Sequence, residues 1–157
     1  MAESNRDLIT GVVVETLGAI TTSAGYQTDV RYVSEDFVSY DQIDLKRLPA
    51  LFPLDGNETH EQIVLTDSAV WDMQAELEMI ITAVVYDRRN QTRRQRTRLL
   101  RDIGKAMTTI LDDGALAAFI RSVTATSVKT DNGTIPNYSV FDFAFAITYD
   151  YDSDIGG

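Results

Sequence analysis

Between Trp71 and Asp87 apolar and polar residues alternate along the chain. Trp71, Met73, Ala75, Leu77 and Met79 fall on one face of an extended segment, and Asp72, Gln74, Glu76 and Glu78 on the other. From Ile80 to Tyr86 β-branched residues occupy both faces. The pattern predicts one long strand, half exposed where it starts and buried on both sides where it ends. Such a strand belongs in the middle of a sheet. A second alternation sets Phe141, Phe143, Phe145, Ile147, Tyr149 and Tyr151 against Asp142, Ala144, Ala146, Thr148 and Asp150. It predicts a closing strand.

Helical spacing governs two other stretches. Leu8, Ile9, Val12, Val13, Leu17 and Ile20 follow a Ser4 cap, and Gly25 stops the run, which predicts a helix over residues 5–23. Leu99, Leu100, Ile103, Met107, Ile110 and Leu111 form the apolar face of a second helix, Thr92 to Asp112. Shorter strands are predicted at Tyr26–Val33, at the proline-bounded Pro49–Leu54, at Gln62–Thr66 and at Arg121–Thr130. The proline-bounded one reads as an edge strand. Asp55-Gly56-Asn57 and Asp131-Asn132-Gly133 read as turns. Ala115–Phe119 suits a short helical turn, and Ser34–Leu48, acidic and without a clear period, a loop or short helix. Asp152–Gly157 is a polar tail. The order predicts a single α+β domain over residues 1–157, a largely antiparallel β-sheet with one or two helices packed on one face in two layers. Trp71, Leu77, Leu100, Ile103, Phe143 and Ile147 are its expected core.

Composition narrows the chemistry. The 157 residues can enclose one core without staples, and the absence of cysteine excludes disulfides, thiolate metal sites and thiol catalysis. Glu3, Arg6 and Asp7 interrupt any secretory signal, and no apolar run approaches the ~20 residues of a membrane span. A soluble protein of a cytoplasm-like compartment, with no membrane partner, is expected.

The net charge of −10 is unevenly spread. Residues 1–87 hold 16 acids and 4 bases, and residues 106–157 hold 7 acids and 2 bases. Residues 88–105 hold 8 bases and 1 acid. Arg94, Arg98, Arg101 and Lys105 fall together on the polar face of the second helix. Positive charge in the first turns opposes the helix dipole, by about 0.3–1 kcal/mol per charge. The stripe is either a solvated face or a surface for an acidic protein partner. It lacks the interleaved aromatics of a single-stranded nucleic-acid site.

Other candidates have simpler explanations. His60, the single histidine, sits in a polar stretch that reads as an exposed turn, without the orienting partner that a hydrolytic triad needs. Asp150-Tyr151-Asp152-Ser153-Asp154 imitates the start of a calcium loop, but Ile155 stands where the motif needs glycine. Glu35, Asp36, Asp41 and Asp44 have no metal-ligand spacing, and Glu76 and Glu78 share the polar face of a strand. No catalytic residue, metal site or cofactor site is expected.

The ordered set of the N-terminal helix, the Leu51-Phe52 strand, Trp71-Asp72-Met73-Gln74-Ala75-Glu76-Leu77, the Leu99–Asp113 helix and Ala146-Ile147-Thr148-Tyr149-Asp150 resembles the tail terminator (tail completion) proteins of long-tailed bacteriophages. The likeness runs over nearly the whole chain. The Ser34–Leu48 segment and the arginine density have no counterpart in that family. The resemblance implies a structural, non-enzymatic virion protein at the head-proximal end of the tail, assembled in the host cytoplasm. It implies a homohexameric ring that caps the tail tube protein, stops its polymerisation and offers its other face to a neck or head-closure protein. Phage DNA would pass through the lumen without specific binding. Arg94, Arg98, Arg101 and Lys105 would then meet a neighbour's acidic surface, and Glu76 or Glu78 could face the lumen. The alternatives are a neck, head-closure or tail tube protein and, in another class, a small hydrolase or metal-dependent enzyme.

Overall fold

A computed structural model describes residues 4–62 and 73–152 of the chain. Its strands are β1 (Tyr32–Val33), β2 (Ala50–Gln62), β3 (Met73–Tyr86), β4 (Ile120–Thr130) and β5 (Tyr138–Tyr151). They form one sheet in the order β1-β2-β3-β5-β4. Every neighbouring pair is antiparallel except the two-residue β1, which runs parallel to β2. Two helices, α1 (Asn5–Gly18) and α2 (Thr92–Thr109), pack on one face. The architecture is α+β.

β3 is the middle strand, as its pattern requires. Ala75, Leu77, Met79, Ile81, Ala83 and Val85 are buried toward the helices, and Thr82 and Val84 are buried on the opposite side. Trp71 and Asp72 lie outside the described residues, as do Ile63 to Thr66 of the strand predicted at Gln62–Thr66 and all but Asp152 of the polar tail. Against β3 pack Ile9, Val13 and Leu17 of α1 and Leu99, Ile103, Ala106 and Met107 of α2. Of the expected core, Leu77, Ile103, Phe143 and Ile147 are buried. Leu100 is only half-buried, and Leu99 takes the interior position.

The helices differ in how they end. Ser4 Oγ accepts the Asp7 amide at 3.2 Å and donates to its carboxylate at 2.8 Å, so α1 starts where its cap predicts. It stops at Gly18 and not at residue 23. Thr21 and Asp29 take the following amides, Thr21 Oγ1 capping a 3-10 turn over Thr22–Ala24 and Asp29 accepting Thr22 N at 2.8 Å. α2 matches its predicted span, ending in a 3-10 turn at Ile110–Asp112.

Two segments depart from the pattern. Of Tyr26–Val33 only Tyr32–Val33 is a strand, because the amides of Gln27 and Thr28 bond Asp102 and that of Val30 bonds Ile20 O. Asp55-Gly56-Asn57 is not a turn between strands. It is a bulge inside one 13-residue strand, with Asp55 opposite Met79 and Glu58 opposite Leu77. The extra residue re-phases β2, so Asp55, Glu58 and His60 all point to the helix side; without it Asn57 and Thr59 would. Pro53 is tolerated because its missing N–H faces the side on which β1 has already ended.

Ser34–Leu48 has more structure than a surface loop. Through two 3-10 turns it lays Val38, Tyr40, Ile43 and Leu48 on Ala50, Phe52, Val84, Tyr86 and Tyr138 on the helix-free face. This second, smaller core buries the far end of β3.

Candidate interaction surfaces

α2 presents its arginines outward. Arg94, Arg98 and Arg101 are exposed and, with Arg93, Thr97, Gln91 and Gln27, line an open groove of about 660 Å³. None of these arginines makes an ion pair among the described residues. No acid stands in the first turn of α2, and its N-cap, Gln91, gives no side-chain cap. Lys105, predicted to join the stripe, is turned to the neighbouring loop instead. Its Nζ donates to Gly25 O at 3.3 Å and lies 4.8 Å from the Tyr26 ring centre.

The one acid of the basic island, Asp102, does not neutralise the groove by way of any ion pair among the described residues. It is 2% exposed and accepts the Gln27 amide on both oxygens (3.1 and 3.0 Å), the Thr28 amide at 2.8 Å and the Thr28 hydroxyl. Its burial follows from facing the Tyr26–Val30 segment, which carries no helix or strand ladder of its own there.

On the helix-free face, beyond the second core, Glu76 is exposed and Glu78 half-buried among the described residues. The Glu78 side chain lies across Gly56, where a Cβ would come within 2.5 Å of its carboxylate. The two acids are on the sheet side opposite the helices, so the structure keeps them apart from the arginine groove.

His60 lies in β2, not in a turn, and it has the orienting partners that the sequence did not reveal. Its Nε2 is 2.9 Å from Glu58 Oε1, and its Nδ1 is 2.7 Å from Tyr151 Oη. Tyr149 Oη donates to Glu58 at 3.2 Å, and Arg6 of α1 bonds Asp55 at 2.9 Å with Glu58 Oε2 at 3.5 Å. The contacts pass over β3 at Ala75, whose small side chain separates His60 from Tyr149 in the register. Hydrogen bonding to Asp55, set against partial burial, holds the Arg6 guanidinium above its ordinary value. Burial, then the Glu58 carboxylate, pushes the Tyr149 hydroxyl well above the usual tyrosine range. Both ring nitrogens of His60 are engaged, Nε2 with Glu58 and Nδ1 with Tyr151. The constellation ties α1 to the two strands that flank β3.

Asp150, the first residue of the calcium-like run, is a buried residue of β5. It bonds Arg121 at 2.6 Å and Gln74 at 3.1 Å. Among the described residues no group of three or more histidine, aspartate or glutamate side chains is placed to hold a metal ion, and no helix is long and apolar enough to cross a membrane. Glu35, Asp36, Asp41 and Asp44 are exposed on the Ser34–Leu48 loop, beside Phe37 and Leu45, each more than half exposed. No protein-family model and no curated protein matches the chain.

Proposed function

We propose that the chain is a ring-forming structural protein of the tail terminator type, which caps a phage tail tube and joins it to the neck. The unpaired arginine face of α2, on a chain of net charge −10, carries this reading. Six separate copies carry a charge of about −60, so they come together only where opposite charges meet. Each protomer has a basic groove on its helix side and acids on its helix-free side. An interface between unlike faces is heterologous, and repeated by rotation it closes into a ring. Glu76 and Glu78 then suit a lumen wall that repels DNA. The order of α1, the Leu51-Phe52 part of β2, β3, α2 and β5 supports the same reading.

A tube end stays reactive until something binds it and presents a surface that the next tube subunit cannot use. Deleting the coding sequence from the phage that carries it should give tails of uncontrolled length and heads without joined tails, seen by electron microscopy. Native mass spectrometry of the purified protein, or subunit counting on tail tips, should give six copies. Normal-length tails joined to heads in the deletion would overturn the terminator reading. A dimer at all concentrations, with another stoichiometry on tails, would overturn the ring.

A further inference from the structure

We infer that the arginine groove of α2 receives the acidic Ser34–Leu48 loop of a second copy of this chain. The inference deepens the ring reading and rests on it for closure; the docking itself requires only that copies associate.

Groove and loop complement each other in charge. The groove is lined by Arg93, Arg94, Arg98 and Arg101 with Gln27, Gln91 and Thr97, and no acid is among them. The Ser34–Leu48 loop holds Glu35, Asp36, Asp41 and Asp44 ahead of two bases at its end, Lys46 and Arg47, so its acids lie in the Ser34–Asp44 part. All four acids are exposed, and none makes an ion pair among the described residues. Arginine forks bind carboxylates bidentately, and a groove rich in them selects such a segment over a neutral one.

The loop also has apolar residues to bury. Phe37 is 55% exposed and Leu45 51% exposed, and both stand among the acids. Apolar anchors within a charged rim match the anatomy of a docking surface. The aliphatic stems of the groove arginines and the Thr97 methyl offer apolar surface, and a guanidinium plane can stack on Phe37. The loop is held for presentation: Phe37 leans on Phe52 with ring centres 5.5 Å apart, and Ile43 and Leu48 are buried beneath. It therefore enters an interface with little ordering cost.

The partner is a second copy because of where the two features sit. Leu48 at the end of the loop lines a small pocket with Arg98, but the body of the loop packs on the helix-free side of the sheet, and among the described residues one chain does not bring its loop acids onto the groove arginines. Two copies can, and each then has a free groove at one end and a free loop at the other. Nucleic acid is the poorer occupant, since a chain of net charge −10 repels it beyond the groove.

Charge exchange tests this on the full chain. A loop variant carries Asp36→Lys with Asp41→Lys, and a groove variant carries Arg98→Glu with Arg101→Glu. All four positions are exposed, and urea melts should show both variants folded. Native mass spectrometry and sedimentation velocity should show the wild type assembled. Each variant alone should need at least about tenfold higher concentration to assemble. An equimolar mixture should restore the wild-type mass with the two chains alternating, because Lys loops then meet Glu grooves and acidic loops meet Arg grooves. Both exchanges placed in one chain should restore it as well. A variant that assembles like the wild type, a mixture that fails to recover, or a wild type that is monomeric throughout overturns the docking. Rings indifferent to both exchanges overturn the docking alone and leave the ring reading standing. Rescue by mixing, with normal tails in the gene deletion, sustains the docking and sinks the terminator role.

Discussion

Replacing Asp102 should loosen the loop that forms one wall of the arginine groove, and its cost can be worked from four contacts. The carboxylate is 2% exposed and takes the Gln27 amide, the Thr28 amide and the Thr28 hydroxyl. In Asp102→Asn the amide oxygen can keep the place of Oδ2, which holds Thr28 and one Gln27 contact. The NH2 group then stands where Oδ1 was, 3.1 Å from the Gln27 nitrogen, a donor facing a donor. Bonds to a charged acceptor contribute about 1.5–3 kcal/mol each and neutral ones about 1 kcal/mol, so the loss should be about 2–3 kcal/mol. Asp102→Ala removes every acceptor. Water reaches part of the exposed segment, which limits the loss to about 3–5 kcal/mol of a total near 5–15 kcal/mol. Thr28→Val deletes only the hydroxyl and should cost about 1 kcal/mol, with a coupling to Asp102→Asn of similar size in a double-mutant cycle. Urea melts give the energies, and hydrogen exchange at the Gln27 and Thr28 amides reports the loop directly. If Asp102→Ala costs less than about 1 kcal/mol and those amides exchange as slowly as before, the carboxylate does not hold the loop.

Two further outcomes follow from the core and the tyrosine network. Leu99→Ala should cost about 2–5 kcal/mol and Leu100→Ala clearly less, since only Leu99 is fully buried; the reverse order in urea melts would mean that α2 turns another side to the sheet. The Tyr149 hydroxyl is held above its ordinary value of 10.0, so the folded chain keeps a proton that the unfolded chain releases. Its contribution is full below pH 10 and is lost as pH rises, at up to about 1.4 kcal/mol per pH unit. Tyr149→Phe should flatten this alkaline slope, and equal slopes in the two proteins would remove Tyr149 as its source.

What could be read from the sequence depended on how long one period ran undisturbed. β5 and α2 keep theirs for more than ten residues, and β3 alternates from Trp71 to Met79 before a β-branched run carries it on, so their type and faces were legible. Tyr26, Thr28 and Val30 alternate over too short a span, and a carboxylate about 75 residues away captured the amides that a strand would have used. The bulge residues Asp55-Gly56-Asn57 carry turn chemistry, and only the continued pairing with β3 shows that the chain goes straight on. The setting of His60 is hidden in the sequence for the same reason. Glu58 and His60, like Tyr149 and Tyr151, are spaced to share one face of a strand. Their meeting depends on the bulge and on both strands flanking Ala75. The arginine stripe was legible because helical period alone defines it, but Lys105 left it for a carbonyl that the sequence could not place.

The same helix shows that the stripe is not set by folding. Four arginines near its start oppose the dipole by about 0.3–1 kcal/mol each, and a first turn without a side-chain cap forgoes about 0.5–2 kcal/mol more. A short isolated helix would not survive this, and α2 does because Leu99, Ile103, Ala106, Met107 and Ile110 are buried against the sheet and α1. Each large side chain among them contributes about 1.5–3 kcal/mol of burial, which exceeds the electrostatic cost several times over. Packing therefore secures the helix whatever its outer face carries, and that face is free to be set by other demands. One acid on it would have relieved the repulsion at no cost to the core. Yet the only acid between Arg88 and Lys105 is Asp102, and it points inward to hold the loop. A face left this basic in so acidic a chain is not explained by the stability of its own helix, and the charge-exchange variants decide between a partner and solvent as its counterpart.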